Sequence, residues 1–520
     1  MATAGLQAPT CQSVTTLRST SRVGRYGHRQ RLPREGWGTM TIDAAGAPTM
    51  SLRAEGVSEA VNGGAADPLT SNDTSPLSHI AESAAADERD NDRLAKLLRL
   101  LEQLGDDQAD ELLRYGSSLK WQFSQFAEGL RRFGVTNVPF TEGMSGVPEV
   151  TMDGRSLVNF APVNFLNLHS RPDVMDHFVN AARTFGLATG GARISQGVTR
   201  PHLDMEAELC RILGKERAIS YATGTLANIG FVHAMTNRQA WSEDMQIDHT
   251  DVVFVYDRDN HWSLWKAAEK LEYGRQLFSF KHNDVAHLES ILKRLQRKRV
   301  VVVFESVYSV DGSVAPMHEI VDLCERYGAL TYVDDANGFL VYGAEHRPFA
   351  KEYAGMLRAD FIMVSLKKSV GLEGGMIAGP NDAIWAMEAL GMASVFSAQV
   401  QPPTAATAAY TMKLLTQHEP EIVDNYLAKV ADFRQLLTDE GFQLNPTPSI
   451  MTSIDVGPES KGMAIRDAFL ERGYRIPVYL FPAARRNHAT MRLILNATHT
   501  DEHILGFLGL MKEFRDKFDI

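Results

Sequence analysis

Lys368 follows the apolar run Phe361-Ile-Met-Val-Ser-Leu, and 34 residues upstream Asp334 closes another, Leu330-Thr-Tyr-Val. An amine that can shed its proton binds an aldehyde as a Schiff base, and a desolvated carboxylate holds a ring nitrogen protonated. At the carboxyl ends of neighbouring parallel strands, the two groups are what pyridoxal phosphate chemistry needs, with the ring as electron sink. Lys367 competes for the amine role, and both lysines read equally as solvated surface groups. Asp334 alone reads equally as a helix cap or a metal ligand, although no His or Cys spacing nearby supports a metal and none is expected.

Two further segments carry candidate groups. Tyr221-Ala-Thr-Gly-Thr-Leu-Ala-Asn228 follows an apolar run and opens a helix, where free backbone amides can take a phosphate. A plain capped turn has the same pattern. Asp257-Arg-Asp-Asn-His261 follows another apolar run, which puts His261 where it could cover a flat ring, or merely be a satisfied polar residue.

The elements that must position these groups are strands near 218–221, 252–256, 300–304, 330–333 and 361–364, with helices over 204–213, 284–297 and 316–328 between them. Nearly continuous β-branched runs flanked by helices mean strands covered on both faces, hence an α/β fold with a mainly parallel sheet. Ligands of such sheets bind at the strands' carboxyl ends. A helix-rich connector over about 404–439 leads to a smaller α+β part with strands near 450–456 and 491–496. The expected division is an extension over 1–90, a helical arm over 91–135, a large cofactor domain over 136–405 and a small domain over 406–520. Leu94, Leu97, Leu98, Leu101 and Leu104 give the arm its helical spacing.

The 520 residues, 44% apolar and 22% charged, suffice for a large core. A formal net charge of −11 offers no general attraction to nucleic acid, which is not an expected partner. Three cysteines without a CxxC pair fit a reducing compartment, and the cytosol is the expected location. No apolar run approaches the roughly 18 residues of a transmembrane helix. Residues 1–34 hold six arginines and no acid, the composition of an organellar transit peptide. A disordered tail, or a true start at Met40 or Met50, explains them equally. Residues 35 to about 90, poor in large apolar side chains, are expected to be disordered.

Phosphate turn, His, Asp and Lys follow one another at spacings of 37, 73 and 34 residues from Gly224. In this order, over about 136–505, the chain resembles the α-oxoamine synthases, fold-type I pyridoxal phosphate enzymes. Asn159-Phe-Ala-Pro-Val-Asn-Phe-Leu-Asn-Leu168, Gly190-Gly-Ala-Arg193, His202-Leu-Asp-Met-Glu206, Glu305-Ser-Val-Tyr-Ser-Val-Asp-Gly312 and Arg492-Leu-Ile-Leu-Asn-Ala-Thr-His-Thr500 carry the likeness. The resemblance implies that Lys368 holds pyridoxal 5′-phosphate and moves a substrate proton. Asp334 would bind the pyridine nitrogen, His261 would stack on the ring, and Gly224, Thr225 and Ser365 would hold the phosphate. Arg492 would grip the amino acid carboxylate, with Asn164 and Arg193 also at the substrate. The implied reaction joins an amino acid to an acyl thioester on CoA or a carrier protein, losing carbon dioxide to leave an α-amino ketone. A homodimer with its site at the interface is implied, with Phe396-Ser-Ala-Gln-Val-Gln-Pro-Pro403 near the partner's cofactor. An aminotransferase or lyase on the same fold, and a catalytically silent partner subunit, are the competing readings.

The chain departs from the family pattern at several positions. Asn337 stands where a His usually bonds the cofactor's phenolic oxygen; an amide can donate that bond but does not titrate near neutrality. Gln196 replaces a Ser, Thr225 an aromatic, and Lys367 and Glu373 flank Lys368 where small residues are common. An unusual substrate is therefore expected. The Trp262-Ser-Leu-Trp265 run and Val364-Ser-Leu366 also resemble a branch that makes α-aminoketone or α-hydroxyketone autoinducers.

Overall fold

In the computed structural model, residues 122–132, 140–481 and 483–520 are described. The expected extension over 1–90 and most of the arm lie outside them. The arm's Phe123–Arg132 is a helix that leaves Phe123 and Phe126 exposed.

Seven strands build the central sheet: β1 (Arg217–Tyr221), β2 (Val253–Asp257), β3 (Leu277–Phe280), β4 (Val300–Glu305), β5 (Leu330–Asp334), β6 (Phe361–Ser365) and β7 (Gly375–Gly379). Their order is β1-β7-β6-β5-β4-β2-β3. Parallel pairing runs from β6 through β5, β4 and β2 to β3, whereas β7 is antiparallel to both β1 and β6. Every residue of β2 and β4 is buried, as unbroken Val-rich runs require between two helical layers. Two strands carry weak signals and were not expected from the sequence. β3 has only four residues at the sheet edge, and β7 is short and begins and ends in glycine.

Those glycines have a packing reason. Gly375 lies opposite Tyr221, and a Cβ there would come within 2.5 Å of the Cα and N of Gly224, at the mouth of the candidate phosphate turn. Both sides of that contact are backbone. Gly375→Ala is therefore expected to lower stability by about 1–3 kcal/mol, the usual range for overpacking, and to weaken cofactor binding. Thermal unfolding with and without pyridoxal phosphate checks both effects.

After helices over Pro402–Lys413 and Glu421–Asp439, strands β8 (Met451–Gly457), β9 (Val478–Tyr479) and β10 (Ala489–Ile494) form an antiparallel sheet in the order β8-β10-β9. Helices Glu459–Glu471 and Asp501–Phe518 accompany it. A hairpin of Glu149–Met152 and Arg155–Asn159 pairs in parallel with Tyr474–Arg475. Residues 149–159, expected with the large domain, thus share a sheet with the C-terminal part.

Candidate active site

Asp334 ends β5, paired in register with Glu305 of β4 and Met363 of β6, so its carboxylate sits at the carboxyl edge of the sheet. It is 4% exposed, and burial raises its pKa from the ordinary value, an effect that nearby His261 partly opposes. Its Oδ2 accepts from Asn228 Nδ2 at 3.2 Å and its Oδ1 from the Ala336 N–H at 3.1 Å. A cation beside so dry a carboxylate would reverse the shift and be held strongly.

His261 caps the short helix Trp262–Ala267, its Nδ1 accepting from Ser263 N at 3.2 Å and contacting Ser263 Oγ at 2.7 Å. Protein crowds the ring enough to lower its pKa, yet the residue keeps an exposed surface. An imidazole walled on most sides and open on one suits stacking on a planar ligand. Ser263 Oγ accepts from Asn228 Nδ2 at 2.9 Å, and Asn228 Oδ1 accepts from Tyr332 OH at 2.6 Å. His261, through Ser263, and Asp334 are thereby tied to one buried amide.

β6 turns back into β7 through residues 366–374, closed by Leu366 N–H to Gly374 O at 3.1 Å and Leu372 N–H to Leu366 O at 2.8 Å. Lys368 sits in this turn, and burial, then the positive charge of Arg492, push its pKa down to about 8. Such an amine is a far better nucleophile at neutrality than a solvated lysine. Lys367, its neighbour, is exposed and reaches Glu373 at 3.4 Å. The surroundings of the two lysines thus differ, and Lys368, which the resemblance implies as the reacting amine, is the shielded one.

Gly224 opens the helix Gly224–Ala234, whose cap is Thr223 Oγ1 accepting from Leu226 N at 3.1 Å, and Thr225 follows in the first turn. A Cβ on Gly224 would lie 3.8 Å from the Cβ of Ser365, so helix start and strand end face one another as a phosphate cradle would. Asn337 is buried, its Nδ2 donating to Val307 O at 3.0 Å; one amide N–H remains, and Oδ1 has no partner among the described residues. Arg492, 4% exposed on β10, donates from Nη1 to Ser309 O at 2.7 Å and lies 4.3 Å from the Tyr479 ring centroid, while its buried Nε has no partner among the described residues. That orphaned donor leaves an edge of the guanidinium for a carboxylate.

Arg193 stands apart from this group. Its buried guanidinium makes a bidentate pair with Glu206 at 2.6 and 2.9 Å and bonds Glu388 as well. With three of its five N–H donors on two acids and its side chain 3% exposed, it braces β1 against helix Arg200–Leu213, through Glu206 bonds to Ser220. Asn164 lines a cleft of about 720 Å³ and gives its amide to His169 at 2.7 Å. Lys367 and Glu373 share that cleft, whose walls do not include Lys368, Asp334 or His261; it runs beside the amine–acid pair.

Several groups here lie in or beside the quoted segments but have no role assigned from sequence. Asn228 is one; a lone amide in the apolar helix GTLANIGFVHA was its only signal. Glu305 is another: buried beside Asp334, it accepts the His261 backbone N–H, and burial followed by the charge of Asp334 holds its carboxyl well above the usual range. Of the two neighbouring carboxylates, Asp334 is the one with side-chain and backbone donors on its oxygens, which favours charge there. Asp335 accepts from Ser306 Oγ at 2.5 Å and Tyr353 OH at 3.0 Å and fixes the strand end from behind. A low-pKa amine, a dry carboxylate, an open-faced imidazole, a cradle and an orphaned arginine donor fit pyridoxal phosphate.

Residues 156–508 match the family model for class I and II aminotransferases. The chain is 30% identical over 385 residues to the 8-amino-7-oxononanoate synthase of Anaeromyxobacter dehalogenans, covering 74% of this chain and 92% of that one. The synthase of the same name from Methylobacillus flagellatus is 29% identical, with 72% and 90% covered. Among solved structures, the serine palmitoyltransferase of Sphingomonas wittichii superposes with a TM-score of 0.68 at 25% identity, over 76% of this chain and 97% of that one. A structure of SPT with PLP gives 0.66 at 25% identity, over 76% and 98%.

Proposed function

Because the chain belongs to the α-oxoamine synthases, within the class I and II aminotransferase family, we propose that it condenses an amino acid with an acyl thioester and releases the thiol and carbon dioxide. Pyridoxal 5′-phosphate, when bound, supplies the electron sink for charge generated at the amino acid's Cα. The observation that carries the reading is the convergence of Lys368, Asp334, His261 and Arg492 on one another's electrostatics. Lys368 anchors the aldehyde and moves the Cα proton on its Nζ. Asp334 keeps a proton on the ring nitrogen, and His261 covers the ring face. The amides of Gly224 and Thr225, with Ser365, hold the phosphate, and Asn337 has one N–H left for the phenolic oxygen. Arg492 orients the substrate carboxylate, and Asn164 lines the approach. Arg193 serves as a brace for β1.

A second copy of the chain is part of this reading. Phe396 is 84% exposed at the start of the 396–403 stretch, and Leu187 and Ile194 are 66% and 55% exposed. A partner subunit would cover them. Among the described residues no helix is long and apolar enough to cross a membrane.

The deciding experiment measures free thiol released from a panel of acyl-CoA and acyl-carrier thioesters, with and without each small amino acid. Release that depends on the amino acid is the expected result. Amino transfer to keto acids with no thiol release would move the chain to the aminotransferases, and no turnover of either kind would mark a silent subunit.

A further inference from the structure

Arg475 ends the short strand that pairs with the 155–159 hairpin, and its side chain is half-buried in the wall of the 720 Å³ cleft. Its backbone belongs to the strand pairing, the carbonyl accepting from the Phe160 N–H. The guanidinium has no hydrogen-bond or ion-pair partner among the described residues, and burial lowers its pKa with no acid to offset the effect. Arg193, Arg347 and Arg434, also shielded, each hold partners, in Glu206 and Glu388, in Asp424 and backbone carbonyls, and in Asn445 and Met451; Arg492 keeps one bond, to Ser309 O, and an unpaired Nε among the described residues.

Gln399 makes a second, independent observation. It lines the same cleft, is 6% exposed, and its amide lies 3.0 Å from Ser220 Oγ; that hydroxyl gives its one hydrogen to Glu206 Oε1 at 2.8 Å, so the Gln399 NH2 donates to it and keeps a second N–H without an acceptor among the described residues. Lys367 adds a third donor. Its pair with Glu373 is solvent-exposed on both sides and so holds the ammonium weakly. Glu373 is the single acid among the residues that line the cleft. Unmatched donors in a concave, partly dry wall call for a ligand that brings acceptors and negative charge, since buried donors left unpaired are costly. The Lys367–Lys368 peptide puts the cleft one residue from the proposed reacting amine.

We propose that this cleft is an anion-recognising subsite in which Arg475 and Gln399 bind, and Lys367 attracts, a carboxylate or phosphate that the acyl donor carries away from its reacting carbonyl. The proposal rests on the acyl-transfer reading for the donor but not for the anion. Two sources share this chemistry: a carboxylate at the far end of the acyl chain, and the phosphates of a pantetheine-based carrier.

Titration calorimetry of the full-length holoenzyme separates the sources with adipate, coenzyme A and phosphate-free pantetheine. At least one anionic probe is expected to bind about tenfold or more tightly than pantetheine, with an affinity that falls as salt rises. Arg475→Leu loses about tenfold or more for that probe, and Arg475→Lys restores part of the loss, keeping the charge without the planar fork. Preference for adipate assigns a chain carboxylate; preference for coenzyme A assigns carrier phosphate. The proposal is overturned if neither anion outbinds pantetheine, or if Arg475→Leu binds both anions as the unaltered protein does. Should Arg475→Leu not fold, exposed Lys367→Ser decides by the same reading, with unchanged anion affinity as the overturning result. Anion binding without amino-acid-dependent thiol release keeps the subsite and removes the acyl-transfer reading.

Discussion

Lys368→Ala is expected to lower turnover by about 10⁴-fold or more, at least the upper range for removing a general acid–base group, and to abolish the absorbance band of the protein-bound cofactor. Lys367→Ala should keep that band. The contrast follows from placement: Lys368 is pushed down to about pKa 8 by burial and by Arg492, whereas Lys367 is exposed beside Glu373. The pH dependence has a definite sign. Only the neutral amine attacks an aldehyde, so its share is small below pH 8, reaches half near pH 8 and saturates above. Capture of pyridoxal phosphate by cofactor-free protein, followed by rapid mixing, should therefore accelerate as pH rises through about 8 and then level off. An acceleration that continues toward the ordinary lysine value near 10.4 would show that neither burial nor Arg492 acts on this amine. A band that survives Lys368→Ala but not Lys367→Ala would exchange their roles.

The parts of the site that were readable in the sequence are those written into one contiguous segment. Apolar runs ending in Asp334 and leading to Lys368 declare both the strands and the groups at their ends, and Thr223-Gly224-Thr225 declares a helix start. What binds these segments together is written across long separations. Asn228 reaches Asp334 over 106 residues and Ser263 over 35, and no local periodicity signals either bond. Arg193 shows the same limit from the other side. The resemblance implies a place at the substrate, but Glu206 and Glu388, 13 and 195 residues away, take three of its five donors. β7 was missed because its sequence, Gly-Met-Ile-Ala-Gly, is selected for close approach to Gly224 rather than for β-propensity. Arg475 carries no motif at all; only the fold reveals that no acid among the described residues neutralises it.

Asp334→Asn should slow proton removal from the amino acid by about 10²–10³-fold while the protein still folds and still takes up cofactor. The substitution preserves shape and removes charge. In the native site two donors, Asn228 Nδ2 and the Ala336 N–H, hold the carboxylate ready, and burial raises the pKa of neighbouring Glu305 well above the usual range, which favours Asp334 as the charge that would meet a pyridine nitrogen. Losing that charge lets the ring nitrogen's pKa fall by about two to three units, and each unit corresponds to about 1.4 kcal/mol of charge stabilisation in the ring, or tenfold in rate when carried fully into the barrier. The measurement needs no acyl donor: exchange of the Cα hydrogen of glycine, alanine or serine with deuterated solvent, followed by mass spectrometry, reads the proton step alone. Asp334→Glu, which keeps the charge but displaces it, should fall between the two. Wild-type exchange in Asp334→Asn would mean that the ring is protonated by another group, and Glu305, side by side with Asp334 in the β4–β5 register, would be the residue to replace next.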